Sequence, residues 1–221
     1  MKLLFSINVI LLSFFLPVIS SPFRDSYAGK EETKKIEVDL ALTWKVSQSN
    51  DGAEDDSKTI TTSWNADVSK AQINFEVNGP FGKVHGHLSG LKSTIQFDAN
   101  NLAASSFRAS VDPKSISTGI GLRNRDLQKE KFLDSDNHPL ISFQSEKIVK
   151  SATGYKAIGS LTIKGVTRPV EIPFTFTEKA NSGLFKGGFT IHREDFGVGN
   201  KGGSVGKDVD ITLEIPVTKS K

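Results

Sequence analysis

The sequence contains no cysteine, so disulfides, thiolate zinc sites and iron–sulfur clusters are all excluded. Aromatic residues with a polar end are scarce, with 2 Trp and 2 Tyr beside 15 Phe. Charge of one sign is not concentrated in any segment, since 28 basic and 25 acidic residues are interspersed along the chain. No nucleic-acid partner is therefore expected. The Phe-rich composition suits either a packed core or an apolar cavity.

Long apolar runs are missing except at the N-terminus. Residues 3–19 form an apolar run that follows Lys2, and small or β-branched residues at its end suit a signal-peptidase cleavage site after Ser20. This pattern predicts a cleavable signal peptide over residues 1–20 and a periplasmic or secreted protein. An uncleaved membrane anchor is the alternative, because the run is close to the lower length for a span. Residues 21–35 are polar and aperiodic, and we expect a flexible leader there.

Apolar and polar residues alternate with period two along most of the remaining chain, which is typical of strands with one buried face. Residues 36–63 fit an N-terminal β-hairpin extension around an acidic turn, and residues 64–221 hold the further strands of a barrel domain. Almost no amphipathic helix is available to cover an open sheet. The sequence therefore predicts an all-β fold, a single antiparallel barrel of about eight strands with a short helix or lid segment.

The alternation is clearest over residues 159–176, where two strands flank a tight turn. Gly165 is expected to take the positive φ of that turn, and Pro169 is expected at the first residue of the second strand. The sequence motif Gly-x-Leu-Thr-Ile-x-Gly-Val-Thr-Arg-Pro-Val resembles the central signature of the YceI-like family. Members of this family are small lipocalin-like barrels that in several bacteria bind polyisoprenoid lipids.

The resemblance extends from about Trp64 to Val217, with further motifs in the family's order. The chain departs from the family at Lys70 and Ala71, where His-Ser is common, and at Asn124 and Asp126, which replace an Asp and a His. Any role that needs an imidazole at those positions is absent. The other similar segments are residues 64–67, 73–77, 81–86, 115–119, 132–134, 138–143 and 185–199.

The resemblance implies that an apolar lipid, such as a polyprenyl chain or an isoprenoid quinone, occupies the barrel, with no other cofactor. Residues 112–137 lack alternation and are the candidate lid, in which Asn124 is expected to cap a short helix over residues 125–133. Arg123, Arg125 and Arg193 are the candidates for a polar head group, with solvated surface arginines as the equal alternative. The predicted ligand-binding residues are Ile73, Phe75, Val77, Ile95, Phe97, Phe107, Ala109, Leu127, Phe132, Ile141, Phe143, Leu161, Ile163, Phe174, Phe176, Phe189, Ile191, Ile211 and Leu213.

Motifs that carry catalytic or metal chemistry are weak in this chain. His85 and His87 share one face of a strand, but no third metal ligand is identifiable. Residues 197–202 match a dinucleotide-binding Gly pattern, yet the glycines that follow cannot sustain the helix it requires, so a loop is expected. Residues 89–92 match Ser-x-x-Lys within a turn and lack the companion motifs of an acylating enzyme. No catalytic residue and no metal site is therefore predicted.

The sequence thus indicates a non-enzymatic lipid-binding or carrier protein. A structural or interaction barrel with a packed interior is the alternative, and its partner would contact the N-terminal hairpin. Transient membrane contact and the oligomeric state, a homodimer included, are left open by the sequence.

Overall fold

The structure, a computed structural model, describes residues 61–221 of the chain. The predicted signal peptide, the leader and all but the last three residues of the predicted hairpin lie outside this part. One α-helix, α1 (Gly121–Gln128), and three 3-10 helices (Leu102–Ala104, Pro113–Ser115 and Arg193–Phe196) occur in it. Its strands are β1 (Ser63–Ala66), β2 (Gln72–Gly79), β3 (Gly82–Leu88), β4 (Lys92–Gln96), β5 (Ser106–Val111), β6 (Ile141–Ser151), β7 (Gly154–Ile163), β8 (Val166–Lys179), β9 (Ser182–His192) and β10 (Asp208–Lys219).

Eight of these strands form a closed antiparallel barrel, which confirms the predicted fold class. The ring runs β1-β4-β5-β6-β7-β8-β9-β10 and closes where β10 pairs with β1. The two extra strands are β2 and β3, because β2 pairs with β10 over Val209–Glu214 and β3 pairs with β2. The free edge of β3 is partly covered, since Ser117 and His87 exchange both backbone hydrogen bonds at 2.9 Å.

The turn between β7 and β8 consists of Lys164 and Gly165. Both residues have positive φ, at 50° and 73°, so the predicted conformation of Gly165 is confirmed. Positive φ at both central positions gives a twist that suits an antiparallel hairpin.

The prediction that Pro169 is the first residue of its strand is wrong. Pro169 lies three residues inside β8, opposite Ser160. At this register its nitrogen faces away from β7, towards the side where β9 begins to pair only at Phe174. The missing N–H therefore costs no ladder hydrogen bond.

Helix α1 starts and ends earlier than the predicted helix over residues 125–133. Asn124 lies inside it, and its Oδ1 accepts hydrogen bonds from the backbone N and the Oγ1 of Thr118 at 2.9 and 2.6 Å. The prediction that Asn124 caps the helix is wrong because its side chain holds the segment that leads into the helix. Ile120 occupies the N-cap position instead. Among residues 61–221 no helix is long and apolar enough to cross a membrane.

One end of the barrel is filled by aromatic side chains. Phe97, only 1% exposed, lies at the centre, with the other rings at centroid distances of 5.1–6.0 Å. Trp64 packs edge-on against Phe176 at 5.0 Å and donates from Nε1 to the carbonyl of Phe97 at 3.0 Å. We call this cluster the aromatic floor, and it consists of Phe97, Phe107, Tyr155, Phe174, Phe176 and Phe185.

Candidate functional site

A cavity of about 330 Å³ lies inside the barrel above the aromatic floor. The space exists because three inward positions carry small residues, Ala109, Ala157 and Gly187, between the larger side chains of neighbouring strands. Added bulk at Gly187 has no room on the backbone side, since a Cβ there would approach the carbonyl oxygen of Pro173 to 2.9 Å. The wall is almost wholly hydrophobic, so the cavity suits a ligand without polar groups.

Most residues predicted for a binding wall border this cavity. Phe97 and Phe176 do not. They pack among the other rings of the aromatic floor, of which Phe107, Phe174 and Phe185 border the cavity. The predicted residues that border it are Ile73, Phe75, Val77, Ile95, Phe107, Ala109, Leu127, Phe132, Ile141, Phe143, Leu161, Ile163, Phe174, Phe189, Ile191, Ile211 and Leu213.

The cavity has further apolar neighbours that the sequence reading missed. Some share the inward parity of predicted residues, and a stricter use of the alternation finds them: Val111, Ala157, Ile172, Phe185, Val209 and Ile215. Others come from turns and loops, where no periodic signal exists: Leu91, Ile116, Leu133, Phe196, Val198 and Val205. Leu88, at the end of β3, is the remaining one.

The end of the cavity opposite the aromatic floor is roofed by two segments, residues 121–133 and 197–207, which we call the cover. Leu127 and Phe132 reach the cavity from the first segment, and Val198 and Val205 from the second. The backbone N of Gly199 donates to the carbonyl of Lys131 at 2.9 Å.

The β7–β8 turn ties the two halves of the cover together. The Nζ of Lys164 donates to the carbonyl oxygens of Glu130 and Gly197 at 2.6 and 3.1 Å. The two segments of the cover are thus joined to each other both directly and through this lysine.

Arg193 holds the second segment of the cover from inside. Its side chain is 7% exposed and borders the cavity. Nε donates to the Gly206 carbonyl at 2.8 Å, Nη1 to Val198 and Asn200 at 2.7 and 3.1 Å, and Nη2 to Val205 at 2.8 Å. The fifth N–H points to Glu194 Oε1 at 3.4 Å. A guanidinium has five N–H groups, so Arg193 has no donor left for a head group while the cover is closed.

The other two head-group candidates lie outside the cavity wall. Arg123 donates from Nε and Nη2 to the Oγ1 and the carbonyl of Thr118, both at 2.8 Å, and Arg125 is exposed on α1. The three arginines therefore have separate surroundings. Arg193 is buried and binds backbone carbonyls, Arg123 holds the segment that leads into α1, and Arg125 faces solvent.

Charged groups with shifted pKa values lie on the outer surface of the described residues. The hydrogen bond from Lys70, aided by Ser69, lowers the pKa of Asp67 to about 2. Hydrogen bonds to Glu76 and Asp136 raise the pKa values of Lys83 and Lys114. None of these shifted groups borders the cavity.

His85 and His87, the pair of histidines considered as metal ligands, are both exposed on β3. The Nδ1 of His85 lies 3.1 Å from Glu76 Oε2. Within residues 61–221 no group of three or more His, Asp or Glu side chains is arranged to hold a metal ion.

Comparison with known proteins gives a consistent result. The family model for the YceI-like domain matches residues 64–217. A UPF0312 protein of Yersinia enterocolitica is 27% identical over 144 residues, which is 62% of this chain and 75% of that protein. A UPF0312 protein of Pectobacterium atrosepticum is 26% identical over the same shares of the two chains.

Solved structures with the same fold include Burkholderia cenocepacia BcnA, with a TM-score of 0.66 and 24% identity over 70% of this chain and all of that chain. A domain from Saccharophagus degradans, described as polyisoprenoid binding and implicated in plant cell wall breakdown, has a TM-score of 0.55 and 11% identity. That match covers 71% of this chain and 98% of the domain. At these identities the structural likeness shows the fold alone.

Proposed function

This chain belongs to the YceI-like family, and from that premise we propose that its barrel is a non-catalytic carrier for one long apolar lipid, a polyisoprenoid or an isoprenoid quinone. The observation that carries the proposal is the cavity of about 330 Å³ with its hydrophobic wall. The description of the Saccharophagus degradans domain as polyisoprenoid binding supports the choice of ligand class.

Burial of the chain would supply the affinity. Each methylene-sized group that leaves water contributes roughly 0.8 kcal/mol, so about ten such groups offer about 8 kcal/mol. That free energy corresponds to a dissociation constant near 1 μM, before the cost of ordering a flexible lipid is subtracted. No catalytic group is required for this activity.

The size of the cavity limits how much of a ligand it holds. Its volume of about 330 Å³ is at the small end of the range for small-molecule pockets, roughly 300–1,000 Å³. A long prenyl chain must therefore displace the cover or extend beyond it. The cover consists of helix α1 and loops rather than paired strands, so we expect it to give way first.

The polar end of the ligand has no partner in the closed cavity, because all five donors of Arg193 are occupied. We expect the head group to stay at the cover or outside it. Affinity should then depend on prenyl chain length and little on whether the head is an alcohol, a phosphate or a quinone.

Export remains part of the proposal. A signal peptide over residues 1–20 would place the barrel in the periplasm or the medium, and N-terminal sequencing of the protein recovered from its host tests this. A cut at another position, or an intact Met1, would contradict it.

The alternative function, a structural barrel with a packed interior, is not favoured by a cavity that small residues keep open. Its proposed contact surface, the hairpin over residues 36–63, falls almost wholly outside the described residues.

The proposal is tested by native mass spectrometry and lipid extraction of the protein purified from its host. We expect one apolar lipid per chain. Ala109→Phe fills the cavity from β5 and should abolish lipid retention. Thr94→Phe places the same side chain on the exposed face of neighbouring β4 and should leave retention intact. An empty parent protein that also takes up no prenyl lipid in vitro, or equal retention in both variants, would refute the carrier function.

A further inference from the structure

Large apolar side chains project into solvent at the covered end of the barrel. Phe81 is 102% exposed, and Ile120, Leu122 and Leu140 are 54%, 64% and 51% exposed. We call these four residues the apolar rim. Single exposed hydrophobic residues are ordinary on soluble proteins, so their meaning depends on whether they gather at one place.

The β2–β3 turn places Phe81 beside the cover. Gly206, in the second cover segment, donates from its backbone N to the carbonyl of Asn78 at 2.7 Å, next to the turn. Val77 also pairs with Val209 at the start of β10. The tip of this hairpin and residues 197–207 therefore stand side by side.

The other members of the rim reach the same end by strand register. The bridge between His87 and Ser117 is antiparallel, so the chain from Ser117 to Ile120 runs along β3 towards the tip at Phe81. Leu122 follows in the first turn of α1.

Leu140 precedes β6, whose Ser142 pairs with Thr162 close to the β7–β8 turn. That turn carries Lys164, which bonds both segments of the cover. Leu140 therefore also belongs to the covered end.

The remaining large exposed apolar residue in residues 61–221, Val68, lies elsewhere and provides a control. Its neighbour Asp67 donates from the backbone N to the carbonyl of Pro216 at 2.8 Å. Pro216 lies eight residues along β10 from Asp208, which is about 26 Å of strand. Four of these five exposed apolar side chains thus gather at the end where the cover roofs the cavity.

The two segments of the cover carry an excess of positive charge. Residues 121–133 contain four basic and two acidic residues, and residues 197–207 contain two basic residues and no acidic one. Lys129 pairs with Asp126, whereas Arg125, Lys201 and Lys207 are exposed. Basic residues around an exposed aromatic tip complement a surface that is apolar beneath and anionic above, as a bilayer with acidic lipids is.

We propose that the apolar rim docks the barrel on an anionic lipid bilayer, so that the apolar ligand passes between membrane and cavity through the cover. The rim enters the interface with Phe81 foremost, and the lysines of the cover contact the acidic head groups. The second half of this inference rests on the proposed carrier function, because only a ligand that resides in a bilayer needs this route.

Tryptophan placed at the tip tests docking directly. In separate variants, Phe81→Trp and Val68→Trp, fluorescence is recorded with vesicles of phosphatidylcholine alone, with added phosphatidylglycerol, and with brominated lipids. We expect a blue shift and bromine quenching for Phe81→Trp, strongest with phosphatidylglycerol, and neither for Val68→Trp. The readout is local, so an apolar run retained at residues 3–19 contributes equally to both variants.

No quenching at position 81, or equal quenching at both positions, would overturn the docking proposal. The fluorescence of Phe81→Trp could instead stay unchanged with vesicles and shift to the blue when the protein alone is concentrated. That result would assign the rim to contact with a second copy of the chain and would also overturn the docking proposal.

A double variant, Phe81→Ser with Leu140→Ser, separates docking from ligand binding, because both residues belong to the apolar rim and lie outside the cover. Loss of two apolar side chains from the interface should reduce vesicle partitioning by about tenfold or more. Equilibrium binding of a fluorescent prenyl probe dispersed without vesicles should be unchanged, because neither residue borders the cavity. Loading from vesicles should slow, and unchanged loading would refute the route. If the parent protein binds no prenyl probe, the carrier function fails while the tryptophan result still decides docking.

Discussion

Replacing Arg193 with lysine should release the cover while leaving the barrel folded. The guanidinium makes five hydrogen bonds, four of them to backbone carbonyls of residues 198–206. An ammonium keeps the charge but presents three donors from one nitrogen, so it cannot satisfy oxygens that surround a planar fork. Carbonyls in this partly buried site would lose a charged partner.

The magnitude follows from the bonds that are lost. A hydrogen bond to a charged group contributes about 1.5–3 kcal/mol net, so the loss of two corresponds to roughly 3–6 kcal/mol. Removal of one partner from a buried charged network typically costs a similar amount. A loss of about 3 kcal/mol multiplies the open population of the loop by about 100-fold, since 1.4 kcal/mol is one factor of ten.

Amide hydrogen exchange measures this opening. The backbone N–H groups of Gly199 and Gly206 are bonded to the carbonyls of Lys131 and Asn78, at 2.9 and 2.7 Å, so both amides are protected only while the cover is closed. Their exchange should accelerate by about 100-fold in Arg193→Lys, whereas amides of β6 should keep their rates. Uptake and release of a bound prenyl probe should both become faster, because the cover is the part of the wall that opens.

Arg168→Lys is the matched control. Arg168 is exposed and makes a single side-chain hydrogen bond, from Nε to the carbonyl of Asp195 at 3.1 Å. Its replacement should change stability by less than about 0.5 kcal/mol. The reasoning is refuted if Gly199 and Gly206 stay protected in Arg193→Lys, or if their exchange rises no more than that of β6.

Three further substitutions address the floor, the cover and the surface. Phe97→Ala empties the centre of the aromatic floor and should lower the free energy of unfolding by about 3–5 kcal/mol in urea denaturation; a loss below about 1 kcal/mol would show that the ring is not packed as described. Gly199→Ala introduces a Cβ 2.9 Å from the Arg193 Nη1 at a φ of +73°, so it should accelerate exchange in residues 197–207, and unchanged exchange would contradict the tight approach. Because the pKa of Asp67 is lowered to about 2 from 3.8, its stabilisation is complete above the ordinary value and is lost as pH falls through about 2. Asp67→Asn should therefore be less stable than the parent at neutral pH, and the difference should shrink below the ordinary value of 3.8 and disappear once the pH is below about 2. A difference that does not vary with pH would refute the assignment.

Local alternation was sufficient to predict the barrel because each strand has one buried face. Ile163 and Phe189 were assigned inward from sequence, and both border the cavity. Phe97 and Phe176 have the same inward parity but pack into the aromatic floor. Parity fixes the face on which a side chain lies, whereas the height along the barrel axis depends on register with strands that are distant in sequence.

Features that depend on loops were less accessible. Val198 and Val205 border the cavity from a glycine-rich loop with no period, so nothing local marks them as wall residues. Arg193 was a candidate for a head group because it is basic and near this loop. Its actual role, to bind four backbone carbonyls of the loop, depends on the folded path of that loop and has no signal in the sequence.

The way the ring closes has a consequence for the order of folding. β1 joins the barrel through three residue pairs with β10 and two with β4, and β10 is the last of the described strands. The contacts between Ser63–Ala66 and the end of β10 span nearly the whole domain, so they form late and at a high cost in loop entropy. During synthesis, the earlier strands keep an open edge until residues 217–219 are available to pair. A chain that stops short of these residues should therefore expose two unpaired edges and aggregate, whatever the quality of its cavity.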